Sequence, residues 1–271
     1  IKDMLDEVLP TDFAKAAPIL KGITTSIKKL HGDGMSFLYM FLPEYVATYG
    51  LQHYKQSVQL LEQITQVTSA EFAVRPFIVQ YPDAMMQQME AWSKHKSLYV
   101  RRLSSEGCRP RLPWGMGLPA FKKDPAPVLP ILENLKNDAA ETVRRSVANN
   151  LNDIAKDHPA LVLSLIKKWQ GKSKNTDWII KHGSRTLLRQ GNLAAMSHFG
   201  NHKIKTARVQ NLSSGKFVKI GNTLQFQFDI LHTEKQPVIM RVDYAIYYVK
   251  SAGKLSKKVF RLREGNFEPG K

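Results

Sequence analysis

The chain has 271 residues, 43% hydrophobic and 23% charged, which fits one large or two ordinary globular domains and excludes intrinsic disorder. No apolar run approaches the length of a membrane span, and the single cysteine, Cys108, excludes an internal disulfide and fits a reducing cytoplasm. Forty Lys and Arg against 23 Asp and Glu leave a net charge of +17, which attracts polyanions such as nucleic acid or serves solubility alone.

The chain opens on Ile1-Lys2-Asp3-Met4, which carries no signal-peptide pattern and reads as the middle of a helix, with residues expected before it. Up to about residue 200, apolar residues recur at helical spacing over 51–67, 84–92, 128–135 and 161–169. Each such segment precedes a short polar turn and then a helix of a repeated kind. Tyr99-Val100-Arg101-Arg102-Leu103-Ser104-Ser105-Glu106 recurs as Thr142-Val143-Arg144-Arg145-Ser146-Val147-Ala148-Asn149. The same register extends upstream to Ser69-Ala70-Glu71 and downstream to Ile179 through Arg185. One column therefore runs Glu71, Glu106, Asn149, Arg185, at spacings of 35, 43 and 36 residues, within the range of two-helix HEAT-type repeats.

Trp92, Leu135 and Trp169 end the first helix of successive pairs, so they are expected to fill the seams between repeats. Pro76, Pro82, Pro110, Pro113, Pro125, Pro127 and Pro159 fall at helix ends or between repeats, where a missing N–H does little harm. Residues 109–117, with two Arg, two Pro, two Gly and Trp114, form a loop, and loops carry function more often than cores do.

After Asn201 the period changes to two. Residues 223–230 and 242–249 alternate apolar and polar side chains, 207–212 and 259–263 are further strands, and 219–222 and 251–254 read as hairpin turns. The chain from Lys203 onward holds 14 Lys and Arg against five Asp and Glu, a surplus of +9. These strands predict an antiparallel immunoglobulin-like sandwich of four or five strands, where a whole one needs about seven, so the domain is expected to be incomplete. The expected fold class is mainly α: an α-α superhelix of HEAT-like repeats over residues 1–200, then a smaller antiparallel β immunoglobulin-like domain over 203–271.

In a helical solenoid the second helix of each pair lines the concave surface. Residues four apart share a helix face, which places Arg102 over Glu106, Arg145 over Asn149, and Lys181 and Arg189 on either side of Arg185. Cations along such a groove suit the phosphates of a duplex or another extended polyanion. The carboxylates Glu71 and Glu106 break that pattern. Either Glu106 pairs with Arg102 or Arg109 and orients it, or it faces a cationic target. A carboxylate so placed stabilises an oxocarbenium-like sugar or positions a water against it. The eight His form no cluster with Cys or carboxylates at ligand spacing, so no metal is expected, and Cys108 reads as a small buried apolar residue.

Four segments together resemble the AlkC branch of bacterial DNA alkylation-repair glycosylases, relatives of the HEAT-repeat AlkD enzymes. They are Glu71-Phe72-Ala73-Val74-Arg75-Pro76, Glu106 through Trp114, Arg144 through Asp153, and Thr176-Asp177-Trp178-Ile179. The resemblance covers residues 1–200, and the β-tail fits the immunoglobulin-like domain common in this branch.

The resemblance implies hydrolysis of the N-glycosidic bond of cationic N-alkylated bases, such as 3-methyladenine, in duplex DNA without base flipping. It implies a cytoplasmic monomer that needs no cofactor, no membrane and no obligate protein partner. By repeat register the catalytic carboxylate falls on Glu106, with Glu71 second and Asp153 third, capping or ion pairing being the other role for Asp153. Arg185 stands where AlkD relatives place a tryptophan against the lesion; Trp114 or Trp178 would substitute, with core packing the alternative for Trp178.

Arg102, Arg109, Arg111, Trp114, Arg145, Asn149, Lys181 and Arg185 are the expected DNA contacts of the helical domain, with solvated surface charge the alternative for Arg145 and Arg185. Lys254 and Lys257, beside Lys250 and Lys258, are either a second grip in the minor groove or solubilising charge. The competing function is a non-catalytic scaffold that binds nucleic acid or an acidic protein.

Overall fold

The computed structural model describes residues 2–34, 36–199 and 206–269. Ile1 and the domain boundary expected at 200–203 lie outside the described residues. The first helices are α1 (Lys2–Val8), α2 (Phe13–His31), α3 (Phe41–Tyr49) and α4 (Tyr54–Ile64), followed by α5 (Val74–Gln80), α6 (Pro82–Trp92) and α7 (Leu98–Gly107). Then come α8 (Pro119–Lys123), α9 (Leu129–Leu135), α10 (Glu141–Ile154), α11 (Pro159–Trp169), α12 (Lys174–Gly183), α13 (Arg185–Arg189) and α14 (Leu193–His198). By contact the chain divides into two units, residues 1–186 and 187–271.

Local chemistry sets the helix ends. The Asp12 carboxylate accepts from Ala14 N at 2.9 Å to cap α2, and Ser173 Oγ accepts from Thr176 N at 3.0 Å to cap α12. Proline opens both α6 and α11, where its missing N–H would have had no helical partner. The helical stretch predicted over 128–135 is split into a 3-10 turn at Ala126–Val128 and α9, in a segment interrupted by Pro127 and Pro130.

The pairs α6/α7, α9/α10 and α11/α12 are the repeats, and α7, α10 and α12 pack side by side as their second helices. Val100 and Leu103 of α7, Val143, Val147 and Leu151 of α10, and Ile179 and Ile180 of α12 are buried on these faces. Each such side chain contributes about 1.5–3 kcal/mol by leaving water. Gly183 permits a close approach of α12 to α10, since a Cβ there would lie 3.0 Å from Leu151 Cβ. Trp92, Leu135 and Trp169 do end α6, α9 and α11 and are buried. An indole–carboxylate bond crosses two seams: Trp92 Nε1 donates to Glu62 Oε2 at 2.7 Å and Trp169 Nε1 to Glu133 Oε2 at 2.8 Å.

The second unit holds four strands among the described residues: β1 (Arg208–Ser214), β2 (Phe226–Leu231), β3 (Val238–Val249) and β4 (Leu255–Phe267). They form two antiparallel pairs, β1 with β2 and β3 with β4. The β3/β4 register runs from Val238 opposite Phe267 to Val249 opposite Leu255, with a bulge between Val242 and Asp243. The turn between them is the predicted one: Ala252 and Gly253 take φ of +60° and +70°, and Lys250 N donates to Lys254 O at 2.8 Å. The turn predicted at 219–222 exists but lies inside the longer connection between β1 and β2, so β2 begins later than the alternation suggests.

Candidate functional site

The two Arg of the repeated helix have separate jobs. Arg101 grips the Asp138 carboxylate with Nε at 2.6 Å and Nη2 at 3.0 Å, and its Nη1 donates to the carbonyls of His95 and Lys96. Arg144 sends Nη1 to the carbonyls of Asp138 and Ala139, at 2.8 and 2.7 Å. Both therefore fasten the turn that precedes their own helix and do not edge a basic groove. Arg102 does not pair with Glu106. It donates to Ser69 Oγ at 3.0 Å and to the two Glu71 oxygens at 3.3 and 3.4 Å. Glu71 departs from its expected register as well: it stands in the turn before α5, not along a repeat helix.

The Glu106 carboxylate is held from the far end of α7. Arg109 folds back so that Nη1 meets Glu106 Oε1 at 2.5 Å while Nε reaches Asp153 Oδ2 at 2.9 Å on α10. Lys156 Nζ takes the other Asp153 oxygen at 3.1 Å. Glu106 and Arg109 are 6% exposed and Asp153 2%, so this is a buried charge cluster. Burial alone would lower the Arg109 pKa, but Glu106 and Asp153 outweigh it and raise it.

Arg109 is among the expected DNA contacts and is also an expected partner of Glu106; the structure places it in this buried cluster, paired with Glu106 and Asp153. Asp153 has the ion-pair role, with both oxygens taken. Glu106 differs: Oε2 has no hydrogen-bond partner among the described residues. Arg111 is clamped to Asp157, whose pKa it lowers, and also reaches the Asp153 carbonyl at 3.4 Å. Cys108 is buried, its thiol pushed up to about 12 by burial, and Sγ donates to Ser104 O at 3.1 Å.

The loop after α7 is a closed, anchored excursion. Leu118 N donates to Pro110 O at 3.2 Å across its neck, and Leu112 and Leu118 are buried beneath it. At its apex Trp114 is 99% exposed with φ of +61°. For a bulky residue that conformation costs about 1–3 kcal/mol and persists only where the surroundings impose it, often at ligand clamps. Arg75 of α5, not singled out by the sequence, is fully buried and reaches into this loop. The one signal for it was a cation inside the apolar run Val74 to Val79.

Farther along the column, Arg185 Nη2 donates to Asn149 Oδ1 at 3.0 Å, so these two positions are brought together as the repeat predicts. Arg185 Nη1 also donates to His182 O at 3.0 Å. Arg145 forms an exposed pair with Glu141 at 2.8 Å, and Lys181, on α12 four residues before Arg185, is exposed. Trp178 is not core: it is 39% exposed and stacks on His182, with ring centroids 4.9 Å apart and planes 10° apart. Burial and then Arg185 and Arg145 lower the His182 pKa.

In the second unit Lys254 and Lys257 are exposed. Lys257 lies 5.8 Å over the Tyr247 ring and Lys258 5.3 Å over Tyr248. Among the described residues, no helix is long and apolar enough to cross a membrane.

The profile of a family described as DNA alkylation repair enzyme matches residues 44–188, and that of the C-terminal Ig-like domain of uncharacterised protein YhaZ matches 208–271. The uncharacterized protein YhaZ of Bacillus subtilis (strain 168) is 44% identical over 263 residues, covering 97% of this chain and 71% of that protein. Among solved structures, the Pseudomonas fluorescens alkylpurine DNA glycosylase AlkC, bound to DNA containing an abasic site analog, superposes with a TM-score of 0.86. It shares 39% identity and covers 93% of this chain and 70% of its own.

Proposed function

Since the chain belongs to the DNA alkylation repair enzyme family, we propose that it is a DNA glycosylase for cationic N-alkylated bases, such as 3-methyladenine, in duplex DNA. The C1′–N bond breaks, and the base leaves with the bonding pair, which neutralises its positive ring. C1′ takes on oxocarbenium character until water adds to it and gives up a proton. A cationic leaving group needs little help, so a fixed carboxylate beside the sugar suffices and the base stays in the duplex.

The observation that carries this reading is the spare oxygen of Glu106. Of the three candidate carboxylates, Asp153 has one oxygen on Arg109 and the other on Lys156, and Glu71 has both on Arg102. Glu106 gives Oε1 to Arg109 and keeps Oε2 for the sugar or the attacking water. The pairing with Arg109 keeps it aimed without reorganisation, and groups so held are worth on the order of 100-fold in rate. Trp114 stands exposed on the loop that Arg109 begins, ready to stack at the lesion. Lys181 and Arg145 grip phosphates, while Lys254 and Lys257 of the β-unit form a second contact with DNA. The enzyme works as a monomer without a cofactor.

Free base released from methylated duplex DNA, separated by chromatography, tests this directly. The wild type is expected to release 3-methyladenine, and Glu71→Gln to retain most of that activity. Binding of the DNA without any release would favour a scaffold instead.

A further inference from the structure

Arg75 is the second residue of α5, fully buried, with no carboxylate in hydrogen-bond contact among the described residues. Its Nε donates to Met116 O at 2.6 Å and its Nη1 to Gly107 O at 2.8 Å, while Nη2 is buried without a partner among the described residues. Burial pulls its pKa down to about 10, a sign of how poorly the surroundings solvate it. Packing alone would place a Leu or Met there without that penalty. A buried guanidinium that satisfies two carbonyls is instead a cross-link between them.

The two carbonyls belong to the two halves of the site. Gly107 directly follows Glu106 at the end of α7, and Met116 lies two residues past Trp114. The segment around Arg75 touches both. A Cβ on Gly107 would lie 2.5 Å from Val74 Cγ2, and one on Gly115 would lie 3.0 Å from Phe72 Cδ1. A side chain on Gly107 would force these surfaces to shift and one on Gly115 would press on the Phe72 ring, so α7, the loop and the start of α5 meet backbone to side chain around the Arg75 fork. The strained φ of Trp114 needs such a restraint.

We infer that Arg75 is a positioning residue: its guanidinium ties the Glu106 end of α7 to the Trp114 loop and so sets where the indole stands relative to the carboxylate. The tie itself is independent of the reaction; its consequence for base release rests on the glycosylase reading.

Protein labelled with 5-fluorotryptophan gives one fluorine resonance for each of its four Trp, and Trp114→Phe assigns the loop signal. In Arg75→Gln the Trp114 resonance is expected to shift or broaden while those of the seam residues Trp92 and Trp169 stay. Single-turnover base release at saturating protein is expected to fall about tenfold or more, since small displacements from productive geometry are costly. Arg75→Lys, which keeps the charge and can reach a carbonyl, is expected to lie between the two in both readouts, and it carries the test if Arg75→Gln does not fold. A Trp114 signal that does not move in a folded variant overturns the inference, whatever the wild type does to DNA. If the wild type releases no base, the glycosylase reading fails and the fluorine comparison still decides the role of Arg75.

Discussion

The helices α7 and α10 begin alike and end differently. At the first Arg of each pair, Arg101 and Arg144, the repeat preserves a contact: each Nη1 donates to the carbonyls six and five residues back, His95 and Lys96 for Arg101, Asp138 and Ala139 for Arg144. At the second Arg the copies part. Arg102 clamps Glu71, whereas Arg145 makes only an exposed pair with Glu141. The column position parts further still, with Glu106 in a buried ion cluster on α7 and Asn149 receiving a hydrogen bond from Arg185 on α10. The lesson is that the repeat holds constant the contacts that fasten each second helix to the turn before it. Positions a turn or two later are free to differ, and there the chemistry is placed.

The largest effect should come from breaking the cluster at the end of α7. Arg109→Met strands Glu106 without its counter-charge and leaves Asp153 to Lys156 alone, and stability in urea is expected to fall by about 4 kcal/mol. Arg145→Met, at the exposed pair of α10, should change it by no more than about 0.5 kcal/mol. Equal losses would mean that the two helices are not differentiated as described.

Next comes the bond by which Arg101 reaches the turn of the following repeat. Asp138→Ala removes the bidentate partner of Arg101 from a nearly buried position, and a loss of about 3 kcal/mol is expected in the same measurement. A neutral result would leave Arg101 without a fastening role at the 138–139 turn.

The smallest effect concerns the downstream edge. The folded state holds the His182 pKa below its usual 6.5, so on acidification the unfolded chain takes up a proton first. Stability should therefore decline as pH falls from about 6.5 toward the lowered folded value, and His182→Gln should flatten that part of the profile. Identical profiles would remove His182 as a titrating element.

Much of the helical architecture was legible because burial imposes a period. The apolar stripes and the terminal Trp92, Leu135 and Trp169 mark the first helix of each pair, and the late change to alternation marks the strands. The partners of the charges were not legible in the same way. Spacing shows that Arg102 shares a face with Glu106, but not that Glu71, arriving from the previous repeat, would take that guanidinium and leave Glu106 to Arg109. The sequence leaves Trp178 open between a lesion contact and core packing; in the fold it is exposed on α12 and stacks on His182. Arg75 escaped notice because a single cation in an apolar run carries no period, and its two acceptors are backbone carbonyls that no sequence pattern reveals.

The central claim is that Glu106, alone among the candidate carboxylates, keeps an oxygen for the reacting sugar. Single-turnover release of 3-methyladenine, measured at saturating protein with binding to the same DNA measured in parallel, tests it most directly. For Glu106→Gln the account predicts a rate reduced on the order of 100-fold with DNA affinity close to that of the wild type. An unchanged rate in a folded Glu106→Gln protein that still binds the DNA would contradict it.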